Sequence, residues 1–181
     1  EYKHHVAVLT HPENDEYLYP YDVAFDSQGN AYILVEGYNY DIDEYEQYII
    51  KLNPEGQVLW AKRISEDNAY IYFMAYDEYA NKLFITGEHY FNGSHNYFLA
   101  RLNADNGIFE KAILILWSST INHWLSTIVP DGKGGIYVGD WVDYYAGRWH
   151  TGAYVLKFDV DLNYEWSKGI MENVSVYTWI P

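Results

Sequence analysis

The sequence predicts an all-β fold assembled from three copies of one four-stranded unit. Three landmarks recur in the same order: an aspartate that opens a turn, a glycine that ends a strand, and a strand of pattern aromatic, two apolar residues, basic, apolar. These basic strands occupy residues 48–53, 98–103 and 154–159, so the spacing is 50 and then 56 residues. Such a period indicates a repeat architecture. The aspartates are Asp26, Asp77 and Asp131, and the glycines are Gly37, Gly87 and Gly139.

Composition supports strands over helices. Aromatic residues make up 19% of the chain, with 21 Tyr and 7 Trp, and these rings favour pleated strands. No stretch has a convincing 3.6-residue apolar period. Helices are therefore expected to be nearly absent.

The first complete copy defines the elements in order. Residues 21–25 form a short strand, and residues 26–30 form a turn in which Asp26 can bond its own backbone and Gly29-Asn30 can take positive φ. Residues 31–35 are an apolar run typical of a strand that is covered on both faces. A long polar and aromatic loop then reaches Gln47, and it is followed by a strand at 48–52, a turn at 53–56 and an outer strand at 57–62.

The other two copies follow the same plan. Strands are predicted at 72–76, 83–86, 97–102 and 108–114, and again at 125–129, 136–138, 152–158 and 164–168. Four antiparallel strands in about 50 residues are the pattern of a propeller blade. Treating residues 1–181 as a single propeller segment, we expect blades at residues 20–64, 70–115 and 124–170.

One family resemblance accompanies this pattern. The residues that carry it are Gly29, Asn30, Gly37, Lys51, Leu52, Asn53, Gly56, Trp60 and Lys62. Their order resembles the bacterial and archaeal repeat family called the seven-bladed β-propeller repeat, which is common in secreted and surface-layer-associated proteins. The likeness covers about residues 20–170, although the second copy lacks the outer-strand Trp and has Tyr79-Ala80-Asn81 at its first turn. The resemblance implies a location outside the cell or on its surface. Because no catalytic motif stands out, we expect a non-enzymatic module for binding or assembly.

The chain ends predict unfinished blades. Residues 1–11 read as the outer strand of a preceding blade, and residues 174–181 resemble the inner strand at 125–130 and so predict the inner strand of a following blade. Three blades do not close a ring, since closed propellers have at least about four. We therefore expect either a piece of a longer parent chain or self-association through open blade edges, because unpaired strands act as templates.

The net charge of the chain limits the classes of partner that we expect it to bind. Eleven basic residues against 26 acidic ones give a formal charge of −15, which repels nucleic acid and anionic lipid. No apolar run is long enough to cross a bilayer, so membrane insertion is not expected. The chain contains no Cys, and no cofactor motif occurs. The expected partner is a glycan or a protein, and no cofactor is expected.

Aromatic and acidic residues cluster in the three segments that join the second and third strands. Rings stack on apolar sugar faces and carboxylates accept hydroxyl protons, while Tyr and Trp also anchor protein interfaces. The alternative is that these rings only pack between blades. The candidate ligand-binding residues are Tyr40, Asp43, Tyr45, Tyr90, Phe91, Trp141, Asp143, Tyr144 and Trp149.

Other chemistry has weaker support. Residues 41–44 and 159–163 superficially resemble calcium loops, but Tyr164 takes the place of the required Gly in the second, so no metal site is predicted. A polysaccharide hydrolase remains the enzymatic alternative, because it needs two facing carboxylates. Asp43, Glu44, Asp140 and Asp143 are the available acids, and no pair among them is singled out, so no catalytic residue is predicted. Asn92 and Asn173 begin sequons that permit glycosylation in a secreted protein.

Overall fold

The computed structural model describes residues 18–39, 43–64, 69–91, 94–115, 121–145, 149–171 and 176–177. These residues form thirteen β-strands and no helix, as the composition predicts. None of them belongs to a helix that could span a membrane. The strands are β1 (Leu18–Phe25), β2 (Ala31–Asn39), β3 (Glu44–Leu52), β4 (Val58–Arg63), β5 (Ala69–Asp77), β6 (Lys82–Phe91), β7 (Ser94–Asn103), β8 (Phe109–Ile115), β9 (Ile121–Pro130), β10 (Ile136–Tyr145), β11 (Trp149–Phe158), β12 (Tyr164–Met171) and β13 (Val176–Tyr177).

The strands form three antiparallel sheets that follow chain order. The first two are β1-β2-β3-β4 and β5-β6-β7-β8, and the third runs from β9 to β12 with β13 added outside β12. The first strand of each sheet contacts the first strand of the next, β1 against β5 and β5 against β9. The sheets are thus consecutive blades with their first strands innermost. This arrangement confirms the predicted all-β propeller segment.

The ends of the chain are described only in part. Residues 1–11, predicted as an outer strand, lie outside the described residues. Val176 and Tyr177 pair with Ile170 and Gly169 of β12. This position differs from the predicted inner strand of a following blade. The free edge of β12 presents unpaired backbone groups, and β13 pairs with two residues of it.

The second and third strands of each blade are longer than predicted. Their pairing continues through the segments that were expected to be loops, to Tyr38 opposite Tyr45, Tyr90 opposite His95 and Asp143 opposite Thr151. Tyr, Trp and Thr side chains fit a pleated surface, so the aromatic segments extend the ladders. We call this end of the blades the hairpin end and the opposite end the turn end.

The glycine landmarks do not end strands. Gly37, Gly87 and Gly139 lie inside β2, β6 and β10. A β-carbon at Gly87 would lie 1.8 Å from the carbonyl oxygen of Tyr70, because β5 bulges toward that position. This glycine permits close approach of two backbones.

The turn end follows the predicted turn chemistry. The Asp26 carboxylate accepts a hydrogen bond from the backbone N–H of Asn30 at 2.8 Å, and Gly29 takes a φ of +85°. The Asp131 carboxylate accepts one from the backbone N–H of Gly135 at 2.9 Å in the same way. Aspartates at the start of these turns therefore fix their geometry.

The repeated lysine lies in a cluster of the same kind in the first blade and in the third blade. Lys157 lies 2.8 Å from the Asp131 carboxylate and over the ring of Tyr137. Lys51 lies 4.0 Å from the Asp26 carboxylate and over the ring of Tyr32. Burying an ammonium group requires such partners. The outer-strand tryptophans complete the clusters, with Trp60 packed on Tyr32 and Trp166 on Tyr137.

The second blade departs from this cluster. Arg101 replaces the lysine and bonds to Glu110 at 2.8 Å and to Asp161 of the third blade at 3.0 Å. It leaves Asp77 fully buried, with one carboxylate oxygen that has no hydrogen-bond partner among the described residues. The arginine therefore bonds within its own blade, to Glu110, and also links that blade to the third.

Gln47 bridges the first and second blades where β5 bulges. Its side chain accepts a hydrogen bond from the Ile71 backbone N–H at 2.7 Å and donates one to the Ile71 carbonyl at 3.0 Å. The side chain is buried. We expect Gln47→Ala to lower the free energy of unfolding by about 2–3 kcal/mol, because two buried backbone groups lose their partner. Urea unfolding followed by tryptophan fluorescence measures this change.

The control for this prediction is Gln28→Ala. Gln28 is exposed on the first turn, and its substitution is expected to change stability by about 0.5 kcal/mol or less. Equal effects of the two substitutions would show that the Gln47 bridge does not stabilise the fold.

Candidate functional site

The three blades form an open pocket of about 420 Å³ in the half of the structure nearer the hairpin end. This volume lies within the range of small-ligand sites. All three blades contribute to it, and most of the contributing residues lie on the innermost strands β1, β5 and β9. The described lining residues are Tyr21, Tyr72, Phe73, Glu88, Tyr97, Trp124 and Leu125.

Strand bulges position two of the rings. The register of β1 shifts between Pro20 and Asp22, so Tyr21 is the extra residue, and the register of β5 shifts between Ile71 and Phe73, so Tyr72 is the extra residue. A bulge turns its extra side chain away from the regular alternation of the strand. The same irregularity in two copies therefore brings Tyr21 and Tyr72 to one pocket.

The third blade supplies an indole. Trp124 on β9 is about two-fifths exposed, at 41%, and packs against Trp141 of β10 with ring centroids 4.6 Å apart. Its backbone N–H donates a hydrogen bond to the Asp140 carboxylate at 3.1 Å. The indole is thus held from two sides while its outer surface stays available to a ligand.

Glu88 is the carboxylate of the pocket. The Tyr72 ring lies beside it in the pocket lining, and the Nδ1 atom of His95 lies 3.2 Å from one of its oxygens. Tyr21 donates a hydrogen bond to Glu36 at 3.2 Å. The Tyr21 hydroxyl is therefore already engaged with a carboxylate, and the tyrosine rings form much of the wall.

The tyrosine pKa values report the electrostatics of the pocket. Burial, followed by the negative charges of Glu88 and Asp140, raises the pKa of Tyr97 to about 12. Burial, followed by the neighbouring Glu88, raises the pKa of Tyr72, and burial, followed by Glu36, raises that of Tyr21. Nearby carboxylates thus oppose a further negative charge here, which means that the local potential is negative.

The predicted residues of the first blade lie at its hairpin tip, outside this pocket. Asp43 is exposed with a φ of +58° and accepts a hydrogen bond from Tyr38. Tyr45 is exposed and packs edge-on against Tyr38, with centroids 4.9 Å apart. Tyr40 lies outside the described residues.

The predicted residues of the second and third blades are also strand residues near the tips. Tyr90 is exposed and packs on His95, with centroids 5.0 Å apart, and Asp143 accepts a hydrogen bond from Thr151 at 2.7 Å. Trp141 touches the pocket through Trp124. Phe91, Tyr144 and Trp149 belong to β6, β10 and β11, but their side chains are outside the described part, as are Asn92 and Asn173 entirely.

The residues that form the pocket were missed by the sequence reasoning. One signal was available: Tyr21 and Tyr72 each stand five residues before a turn aspartate, and Trp124 stands seven before the third. An aromatic ring therefore begins each predicted inner strand or immediately precedes it. What the sequence did not indicate was that bulges would aim these rings together.

Three further features bear on the chemistry that the described residues can perform. Asp140 and Asp143 are three residues apart on β10, so they point to opposite faces and do not form a facing pair. An apolar pocket of about 400 Å³ lies on one face of the second blade and includes Ile85, Phe98 and Leu114. The described residues contain no cluster of three side chains that could hold a metal ion.

Comparison with known proteins gives little further information. No protein-family model and no curated protein matches the chain. Among solved structures, it is similar to the Pyrococcus horikoshii acylaminoacyl peptidase, with a TM-score of 0.44 and 12% identity. That likeness covers 91% of this chain and 33% of the peptidase, so the chain spans about a third of its length.

Proposed function

We propose that the chain is a non-enzymatic binding module of an extracellular or cell-surface protein, and that the pocket between its three blades takes a group presented by a glycan or a protein. The observation that carries the proposal is the convergence of rings from all three blades on one pocket, with the Glu88 carboxylate beside them. Rigid rings bury much area at little entropic cost. The acidic composition and the sequons at Asn92 and Asn173 support the location.

Two alternatives have less support. A hydrolase needs facing carboxylates, and Asp140 and Asp143 lie on opposite faces of their strand. A polymer built through blade edges is favoured by exposed apolar residues on two outer strands, Val58 and Leu59 on β4 and Phe109 and Leu114 on β8. The resemblance to surface propeller repeats and the pocket together favour binding.

The test is a binding titration followed by tryptophan fluorescence. A panel of soluble β-glucan, xylan, mannan and chitin oligosaccharides is titrated into the protein, and we expect at least one dissociation constant below about 1 mM. Trp124→Ala is expected to weaken this binding about tenfold or more, because an anchoring ring contributes about 2 kcal/mol or more.

The matched control is Tyr79→Ala, since Tyr79 is 76% exposed at the turn end, away from the pocket. Its binding should equal that of the wild type. Binding that survives Trp124→Ala unchanged would remove the pocket as the site. Shortened oligosaccharides after incubation with the wild type would favour the hydrolase instead.

A further inference from the structure

The inter-blade pocket combines rings and negative charge in a way that selects the charge of its ligand. Five of its described lining residues are aromatic, and the sixth and seventh are Glu88 and Leu125. No basic side chain is among these described lining residues. Each ring presents a negative π face, to which a cation is attracted within about 6 Å of the ring centroid.

The carboxylates around the pocket act in the same direction. Glu88 lines it, Glu36 accepts the hydrogen bond of Tyr21, and Asp140 holds the backbone of Trp124. The whole chain carries a formal charge of −15, which draws cations toward any cleft on its surface. A neutral or anionic ligand gains nothing from this field.

The polar groups of the pocket favour a cation over a sugar. The Tyr21 hydroxyl donates a hydrogen bond to Glu36 at 3.2 Å. A sugar needs several separate donors and acceptors around its hydroxyls, and this tyrosine hydroxyl is already committed. A cation needs ring faces and a nearby carboxylate, both of which the pocket retains.

The apolar walls further favour a weakly hydrated cation. A primary ammonium is strongly hydrated and would lose its water against Phe73, Leu125 and the ring faces. A quaternary ammonium carries its charge on methyl groups that pack against such walls. We infer that the inter-blade pocket binds a small quaternary ammonium compound through Tyr21, Tyr72, Tyr97 and Trp124, with Glu88 as the counter-charge. This inference rests on the proposed function, because it names the ligand class of the same pocket.

The test compares choline and tetramethylammonium with 3,3-dimethylbutan-1-ol, the uncharged carbon analogue of choline. Each is titrated into the wild-type protein by calorimetry. We expect choline to bind roughly tenfold or more tightly than the uncharged analogue, because the two differ in charge and hardly in shape.

Two variants test whether Glu88 is the carboxylate that balances the charge of the ligand. Glu88→Gln keeps the shape of the pocket and is expected to weaken choline binding roughly tenfold. The control is Glu55→Gln, a glutamate exposed on the third-to-fourth-strand turn at the other end of the first blade, and its binding should be unchanged. Should Glu88→Gln not fold, as judged by circular dichroism, the wild-type comparison with the uncharged analogue still decides.

The outcomes separate this inference from the proposed function. Equal binding of choline and its uncharged analogue would overturn cation recognition and leave a binding pocket. Oligosaccharide binding without choline binding would also overturn the inference alone. Failure of every probe, ammonium and oligosaccharide, would overturn both.

Discussion

Replacing Phe84 with alanine is expected to lower the free energy of unfolding by about 3–5 kcal/mol. Phe84 is fully buried and belongs to the core cluster between the second and third blades, which includes Leu99, Val138 and Leu156. Its removal takes away the transfer free energy of a phenyl ring and leaves a cavity that two rigid sheets cannot fill. Urea unfolding followed by tryptophan fluorescence measures the loss.

The control is another phenylalanine in the same fold. Phe25 ends β1 and is 64% exposed, so Phe25→Ala is expected to change stability by about 0.5 kcal/mol or less. A loss below about 1 kcal/mol for Phe84→Ala would mean that the second and third blades are not packed as described.

Replacing Lys157 with methionine is expected to cost about 3–5 kcal/mol, because it leaves the Asp131 carboxylate without its cation in a buried site. The Lys157 side chain is 7% exposed and lies 2.8 Å from Asp131 and 3.4 Å from Glu165. Thermal and urea unfolding of the wild type and the variant measure the difference.

Two further variants separate the charge from the packing. Lys133→Met removes an exposed lysine from the turn that Asp131 opens and is expected to change stability by about 0.5 kcal/mol or less. Combining Asp131→Asn with Lys157→Met removes both charges and is expected to recover much of the loss. If the double variant were as unstable as the single one, the cost would come from packing.

The same pair makes stability depend on pH. Burial alone would raise the pKa of Asp131, but hydrogen bonds from Lys157 and from the turn backbone hold it below the ordinary 3.8. Burial alone would lower the pKa of Lys157, but Asp131 and Glu165 hold it above the ordinary 10.5. The Asp131 contribution is thus full above 3.8 and is lost as pH falls through its lower folded pKa.

At alkaline pH the dependence is opposite, because the Lys157 contribution to stability falls as the pH rises. The Lys157 contribution is full below 10.5 and is lost as pH rises through its higher folded pKa. Unfolding of the wild type and of Lys157→Met should therefore differ most at neutral pH. The difference should shrink below about pH 4, since the carboxylate no longer needs its cation once it is protonated.

The repeat could be predicted from the sequence because its register follows from a few side chains that need specific partners within the same copy. A lysine within an apolar strand must meet a carboxylate, and Lys51 and Lys157 each meet the turn aspartate of their own blade. Turn chemistry at Asp26 and Asp131 was equally local. Such features depend on neighbours within one copy, which a sequence pattern displays directly.

The pocket could not be predicted from the sequence, since it depends on how side chains from different blades are placed relative to one another. Tyr21 and Tyr72 reach it through bulges, and a bulge is an irregularity of pairing that leaves no mark in hydrophobic alternation. The hairpin tips were misjudged for a related reason: Tyr90 and Asp143 sit in polar, aromatic segments that resemble loops, although cross-strand pairs hold them in ladders. Gly87 marks a close approach of β5 that only coordinates reveal.

The side chain of Arg101 means that the three copies are not interchangeable parts. It reaches the side chain of Asp161 and the carbonyl of Val160 in the third blade, while Asp77 in its own blade keeps one carboxylate oxygen that has no hydrogen-bond partner in the described part of the chain. A redesigned chain in which the second copy preceded anything but the third would lose the Arg101–Asp161 contact and keep only the Arg101–Glu110 pair. Arg101→Lys would give the second copy the residue that meets the turn aspartate in the other two blades, so that shuffled or duplicated copies would depend less on a particular neighbour.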